Sequence, residues 1–295
     1  MVWIIIFLML GSFIASGMLG LFLGEGPKDG NVALIPIHGV ILAEQANFFG
    51  EDISASSTIV EFIEDAEEDP TIKGILLSIN SPGGSAVASY EVATAVKDAS
   101  KPTVAWIRDI GTSGAYWVAS AAYEVIANPM SLTGSIGVIA SYLEFSGLLD
   151  DYNISYERLV AGSLKDIGSP FKKLGAAERR LFQEQLDALH GMFISAIAEN
   201  RNLSNSAVKE FSTGMFFLGV NAQKMGLVDT LGGKKEAEAY LEDVLNSSVS
   251  FYEYKVDRGL LGLLSEVSSQ QSYSVGRGIG HSLTEQKVQG PKVWT

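Results

Sequence analysis

The chain has 295 residues, 47% hydrophobic and 19% charged, the composition of a globular protein with an added apolar segment. A formal net charge of −13, with no block of basic residues, excludes a general nucleic-acid binder, which needs cationic patches for phosphates. There is no cysteine, so thiol catalysis, zinc–thiolate sites and disulfides are excluded, and only three histidines (His38, His190 and His281) limit His-base and metal mechanisms.

The opening stretch "MVWIIIFLMLGSFIASGMLGLFLG" carries no charged side chain before Glu25. At about 1.5 Å per residue it is long enough to cross a hydrocarbon core of roughly 30 Å. Ala15-Ser16-Gly17 also suits a signal-peptide cleavage region. The missing basic n-region and the apolar residues beyond that point favour a retained transmembrane anchor over 1–23. Neither flank has a Lys/Arg excess, so charge does not set its orientation. Residues 24–30, within "GEGPKDGN", read as a linker.

Strand and helix patterns then alternate. "NVALIPIHGVIL" is strand-like and "STIVEFIEDAEED" has helical apolar spacing. "IKGILLSI" is a continuous β-branched run, as expected of a strand buried on both faces. "SAVASYEVATAVKDA" is helical, "PTVAWIRD" a strand, and the region after Ser113 helical again. "EVIANP", "SIGVIA" and "ISYERLVAG" are expected as strands. The longest helix candidate covers 176–201, with Leu181, Leu186, Leu189, Phe193 and Ile197 on one stripe. This alternation predicts an α/β domain of mostly parallel strands over 31–257. Residues 258–295, rich in Ser, Gly and Gln, are expected to form a mobile or loosely docked tail.

Several stretches suit chemistry. "GILLSINSPGGS" (74–85) runs a buried strand through Gly83-Gly84 into a helix, where bare amide N–H groups can bind an anion or an oxyanion. An ordinary glycine-rich turn fits it equally well, and it matches neither a Walker loop nor a dinucleotide fingerprint. Ser113 lies between Thr112 and Gly114 ahead of an apolar helix. It suits a helix N-cap worth about 1 kcal/mol, or a nucleophile whose neighbour Gly114 offers an N–H to the oxyanion. The G-x-S-x-G elbow is not matched.

A serine nucleophile needs a base. His190 falls on or beside the apolar stripe of the long helix, where a core or interface role suits it, while His38 and His281 lack triad context. A lysine can serve when its amine is uncharged, and "AGSLKDIGSP" (161–170) sets Lys165 among small residues in a loop. An ordinary solvated lysine fits the same loop. The adjacent Asp166 is expected to face away, because an inward carboxylate would favour the charged amine.

In this order, "SINSPGGS", "GTSGAYWVAS", "NPMSLTGSIGV" and "AGSLKDIGSP" resemble the signal peptide peptidase A (SppA-type) serine endopeptidases in their short, single-copy form, over roughly 31–246. The resemblance implies a ClpP/crotonase-like fold of repeated β-β-α units behind an N-terminal transmembrane helix. Carried onto this chain, it makes Ser113 the nucleophile and Lys165 its general base. Ser135 would orient the lysine amine, and the backbone N–H groups of Gly84 and Gly114 would form the oxyanion hole. It further implies peptide or signal-peptide substrates and no metal or organic cofactor. A ring-like homo-oligomer at the cytoplasmic membrane is implied as well, with the catalytic domain on the extracytoplasmic side and serine and lysine able to come from adjacent subunits. Many relatives have a second glycine and two aromatics where this chain has Ala115, Tyr116 and Trp117, so the adjacent pocket is expected to differ in shape. A crotonase-type acyl-CoA enzyme and an inactive peptide-binding membrane scaffold are the alternatives; neither needs Ser113 paired with Lys165.

Overall fold

The computed structural model describes residues 29–44 and 53–255. The expected anchor over 1–23, most of the linker and the tail from 258 onward lie outside the described residues.

Among the described residues nine strands form one largely parallel sheet system: β1 (Val32–Leu42), β2 (Ile53–Ala55), β3 (Gly74–Gly84), β4 (Thr103–Thr112), β5 (Glu124–Ala127), β6 (Leu132–Gly134), β7 (Phe216–Leu218), β8 (Thr230–Leu231) and β9 (Phe251–Glu253). The pairing of β6 with β7 is antiparallel. The three long strands change neighbours along their length. The first halves pair in the order β9-β1-β3-β4-β5-β8, whereas the second halves pair in the order β2-β1-β3-β4-β6-β7. The switch is made at register shifts between His38 and Val40 in β1 and between Ile79 and Ser81 in β3, where bulges bend the strands. Gly84, Ser113 and Gly114, which line the cavity described below, lie beyond those bulges.

The apolar run of β3 is continuous because both of its faces are covered. Ile75, Leu77 and Ile79 join the larger core, which is closed by the helices Ser56–Glu68, Ala86–Asp98, Gly114–Ser120 and the second half of Ala176–Asn200. Leu76 points into a smaller cluster with Val32, Val104 and Ile126, covered by Ala237 and Leu241 of the helix Lys234–Leu245. Parallel strands joined by helical crossovers produce this two-sided burial, and the α/β expectation holds.

Two expected strands are corrected. "SIGVIA" does not extend, because Gly134 and Ser135 both take left-handed backbone (φ 78° and 52°) and turn the chain after the short β6. "ISYERLVAG" also forms no strand; the open side of β6 is already occupied by β7. Its apolar side chains are left uncovered in the single chain, Leu159 at 96% exposure.

Leu77 is fully buried at the centre of β3. Leu77→Ala is expected to lower the unfolding free energy by about 2–5 kcal/mol in urea titrations, the range for a core leucine that leaves a cavity. A loss near zero would mean that β3 is not packed as described.

Candidate active site

The site grows from the end of β4. Thr112 pairs with Gly134 of β6 while its hydroxyl donates to the Pro82 carbonyl (3.2 Å), so β3, β4 and β6 converge there. The next residue, Ser113, has φ 54° and ψ −125°, a conformation that costs a non-glycine residue roughly 1–3 kcal/mol. Two contacts hold it: its N–H donates to the Gly134 carbonyl (2.7 Å), and its carbonyl accepts from Trp117 N–H (3.0 Å), opening the helix Gly114–Ser120. An N-cap residue instead has extended backbone and turns its side-chain oxygen onto the first helical amides. Among the described residues Ser113 makes no such side-chain bond. Its hydroxyl is half-buried and left available.

The Pro82-Gly83-Gly84 end of β3, kinked at Gly83 (φ 94°) but still paired with β1, lies directly against this serine. A Cβ on Gly83 would sit 2.6 Å from the Gly114 nitrogen and 3.0 Å from the Ser113 Cβ; one on Gly84 would overlap the Ile41 carbonyl oxygen at 1.9 Å. A Cβ on Gly114 would fall 2.1 Å from the Ser89 hydroxyl oxygen and 3.3 Å from the Gly84 nitrogen. Glycine at all three positions is what allows the approach. The first amides of a helix have no intrahelical acceptor, so the N–H of Gly114 is of the kind that binds a developing negative charge.

Ser113, Gly84 and Gly114 share the lining of a cavity of about 410 Å³ with Trp117, Val138, Ile139, Leu186, Leu189 and Phe193. Trp117 stacks on Phe193 (ring centroids 4.6 Å apart, 11° between planes), and Tyr90 meets Trp117 edge-on at 6.0 Å. Much of the remaining lining is therefore apolar and aromatic. Tyr116, on the other side of the helix, donates its hydroxyl to the Leu227 carbonyl (2.8 Å); full burial pushes that phenol well above its ordinary range, so it acts as a neutral anchor.

The remaining predicted residues are not gathered into this cavity. Ser135 follows Gly134, and its hydroxyl donates to the Gly214 carbonyl (3.0 Å). Lys165 is exposed in a turn, its N–H bonded to the Gly162 carbonyl (3.0 Å), and is not among the cavity's lining residues. Asp166, beside it, does face other partners: Arg158 Nη2 at 2.8 Å and Lys172 Nζ at 3.1 Å. The Arg158 guanidinium first, and then Lys172, hold the Asp166 carboxyl well below the usual carboxylate range. His190 lies between Leu186 and Phe193 on the long helix, half-buried, with no hydrogen-bond partner for Nε2 among the described residues. His38 is in β1 and does not line the cavity.

Sequence reading missed the Trp117–Phe193 stack. The stripe on the long helix was its signal, and the stripe divides: Phe193 and Ile197 are buried in the core, while Leu181 and Leu189 remain exposed.

The model of peptidase family S49 matches residues 95–248. A putative protease of Methanocaldococcus jannaschii is 34% identical over 229 residues, covering 76% of this chain and 72% of that protein. A putative signal peptide peptidase SppA of Enterococcus faecium is 30% identical over 240 residues, 80% of this chain and 70% of that protein. The chloroplastic serine protease SPPA of Arabidopsis thaliana is 28% identical over 236 residues, 71% of this chain and 35% of that protein. Fold and likeness together define a serine peptidase. The chain belongs to peptidase family S49, and it is of the SppA type.

Glycine adopts the backbone of position 113 without steric cost. Ser113→Gly is therefore expected to raise the unfolding free energy by about 1 kcal/mol while abolishing peptide hydrolysis. Chemical denaturation beside a chromogenic peptide assay checks both, and a Ser113→Gly protein destabilised by more than about 1 kcal/mol, the entropic cost that glycine carries anyway, would rule out strain at this serine.

Proposed function

We propose that the peptidase works through a Ser113–Lys165 dyad and an acyl-enzyme. The uncharged Lys165 amine takes the Ser113 proton as Oγ attacks the peptide carbonyl, and the Gly84 and Gly114 N–H groups receive the oxyanion. The ammonium returns the proton to the departing amine, breaking the C–N bond. Lys165 then accepts a proton from water, which attacks the ester, releasing the acid and restoring the serine. Ser135 orients the lysine amine. The observation that carries this reading is Ser113: a strained, uncapped serine at a helix start, packed against two glycines and opening onto an apolar cavity.

The lysine reaches a serine by assembly. In the single chain Lys165 lies outside the cavity, while the segment that bears it exposes Ile139 (89%), Leu143 (73%), Tyr152 (72%) and Leu159 (96%). So much uncovered apolar surface on one stretch supports a partner subunit. A ring-like homo-oligomer, whose contacts are head-to-tail, would bring the lysine of one copy to the serine of the next. Residues 1–23 anchor the ring to the cytoplasmic membrane, with 24–30 as linker, 31–257 as the extracytoplasmic catalytic domain and 258–295 as a tail. Substrates are apolar peptide segments, with remnant signal peptides the leading class. The apolar cavity wall and the name of the Enterococcus faecium relative support that choice.

Ser113→Ala and Lys165→Ala are each expected to reduce peptide cleavage by at least about 10³-fold with assembly intact. Full activity in either variant would falsify the dyad. Mixing the two inactive variants before assembly separates the geometries. If the pair forms between neighbours of a closed ring, a random 1:1 mixture regains about a quarter of wild-type activity. If the pair lies within one subunit, the mixture stays inactive.

A further inference from the structure

The turn that carries Lys165 is tied to the long helix by a chain of charges. Arg158 grips both Asp166 oxygens, its Nη2 also donating to the Ser163 carbonyl (3.0 Å), so it spans the turn on both sides of Lys165. Lys172 bridges Asp166 Oδ1 (3.1 Å) and Glu178 Oε1 (2.8 Å), and Glu178 Oε2 accepts the Gly175 N–H (2.9 Å) at the start of the helix Ala176–Asn200. Asp166, Lys172 and Glu178 are not loose surface charges: their side chains are 12%, 22% and 16% exposed. Farther along, the same helix supplies Leu186, Leu189 and Phe193 to the cavity wall.

We propose that Asp166 is the positioning residue for Lys165: clamped by Arg158 and Lys172, it sets the lysine turn at a fixed place on the long helix and keeps its own carboxylate off the neighbouring amine. This rests on Lys165 being the base. Two requirements of a lysine base meet here. Its amine must arrive at one defined point, since a displacement of about 1 Å can cost 10²-fold in rate. No carboxylate may pair with it, since that would favour the ammonium. Among the described residues the charged and titratable groups that face Asp166 are Arg158, with Tyr156 behind it, and Lys172, with Glu178 behind it. Lys165 is not among them. Arg158 holds the Asp166 carboxyl well below the ordinary range, with Lys172 assisting, so the clamp stays charged at any pH where an amine base works.

The test uses the full chain with Asp166→Asn, Arg158→Met, Lys172→Met and Lys172→Arg, a chromogenic peptide, and size-exclusion chromatography and thermal melting as controls. Asp166→Asn and Lys172→Met are expected to lower kcat at least about tenfold with KM changed less than about twofold, while Lys172→Arg keeps kcat within about threefold of wild type. Arg158→Met releases the carboxylate toward the amine, so the alkaline rise of kcat/KM moves to higher pH; Asp166→Asn does not move it that way. Wild-type kcat in Asp166→Asn, or equal losses in Lys172→Met and Lys172→Arg, overturns the proposal. Should Asp166→Asn fail to assemble, the two Lys172 variants decide alone. Lys165→Ala run beside them separates the failures: an active Lys165→Ala removes the base itself, whereas an inert one beside an unaffected Asp166→Asn removes only the positioning role.

Discussion

The contact on which the site depends is backbone against backbone, the Gly83-Gly84 end of β3 lying on Gly114 with no side chain between. Three elements must end at the same place for it to form. β3 delivers the glycines, β4 delivers Ser113, and β6 accepts the Ser113 N–H through Gly134. Because Gly84 also sits on the Ile41 carbonyl, β1 is locked to the same point. An extra methyl group at any of these glycines would push apart strands whose halves behind the bulges are buried on both faces. The oxyanion site proposed here would therefore inherit its precision from the core, as a preformed donor site requires.

The two halves of the long strands divide the labour. Behind the bulges, Ile75, Leu77 and Ile79 bury themselves and secure the layer order. Beyond them the sequence turns to Ser, Pro and Gly, residues that bury little but let the chain turn and present amides. The buried core and the proposed site thus sit on the same strands, one after the other. The helix Gly114–Ser120 joins them: all seven of its residues are buried, and Tyr116 bolts it to Leu227.

Most of this architecture was legible in the sequence because it is written in short-range pattern. The double-faced strand "IKGILLSI", the helix 86–98 and the glycine turn each carry a local signature of period or residue type. The failures share one cause. "SIGVIA" and "ISYERLVAG" have the apolar content of strands, yet strand formation also needs a free neighbouring edge and extended backbone. Ser135 removes the second and β7 the first. Ser113 was ambiguous for a different reason: N-cap and nucleophile prefer the same residue in the same context, and its φ, ψ and missing cap bond speak against the N-cap alone. The charge clamp around Asp166 was half visible, since its aspartate was expected to turn away, but the partners at 158 and 172 are set by folding rather than spacing.

The backbone at Ser113 also bears on how such a protein ages in a lineage. Without selection for catalysis, replacement of the serine by glycine relieves the chain, so mutational drift toward inactivity runs downhill in folding energy. If Ser113 is the nucleophile, its hydroxyl is kept against the local backbone preference, and copies freed from catalysis would be expected to lose it there early.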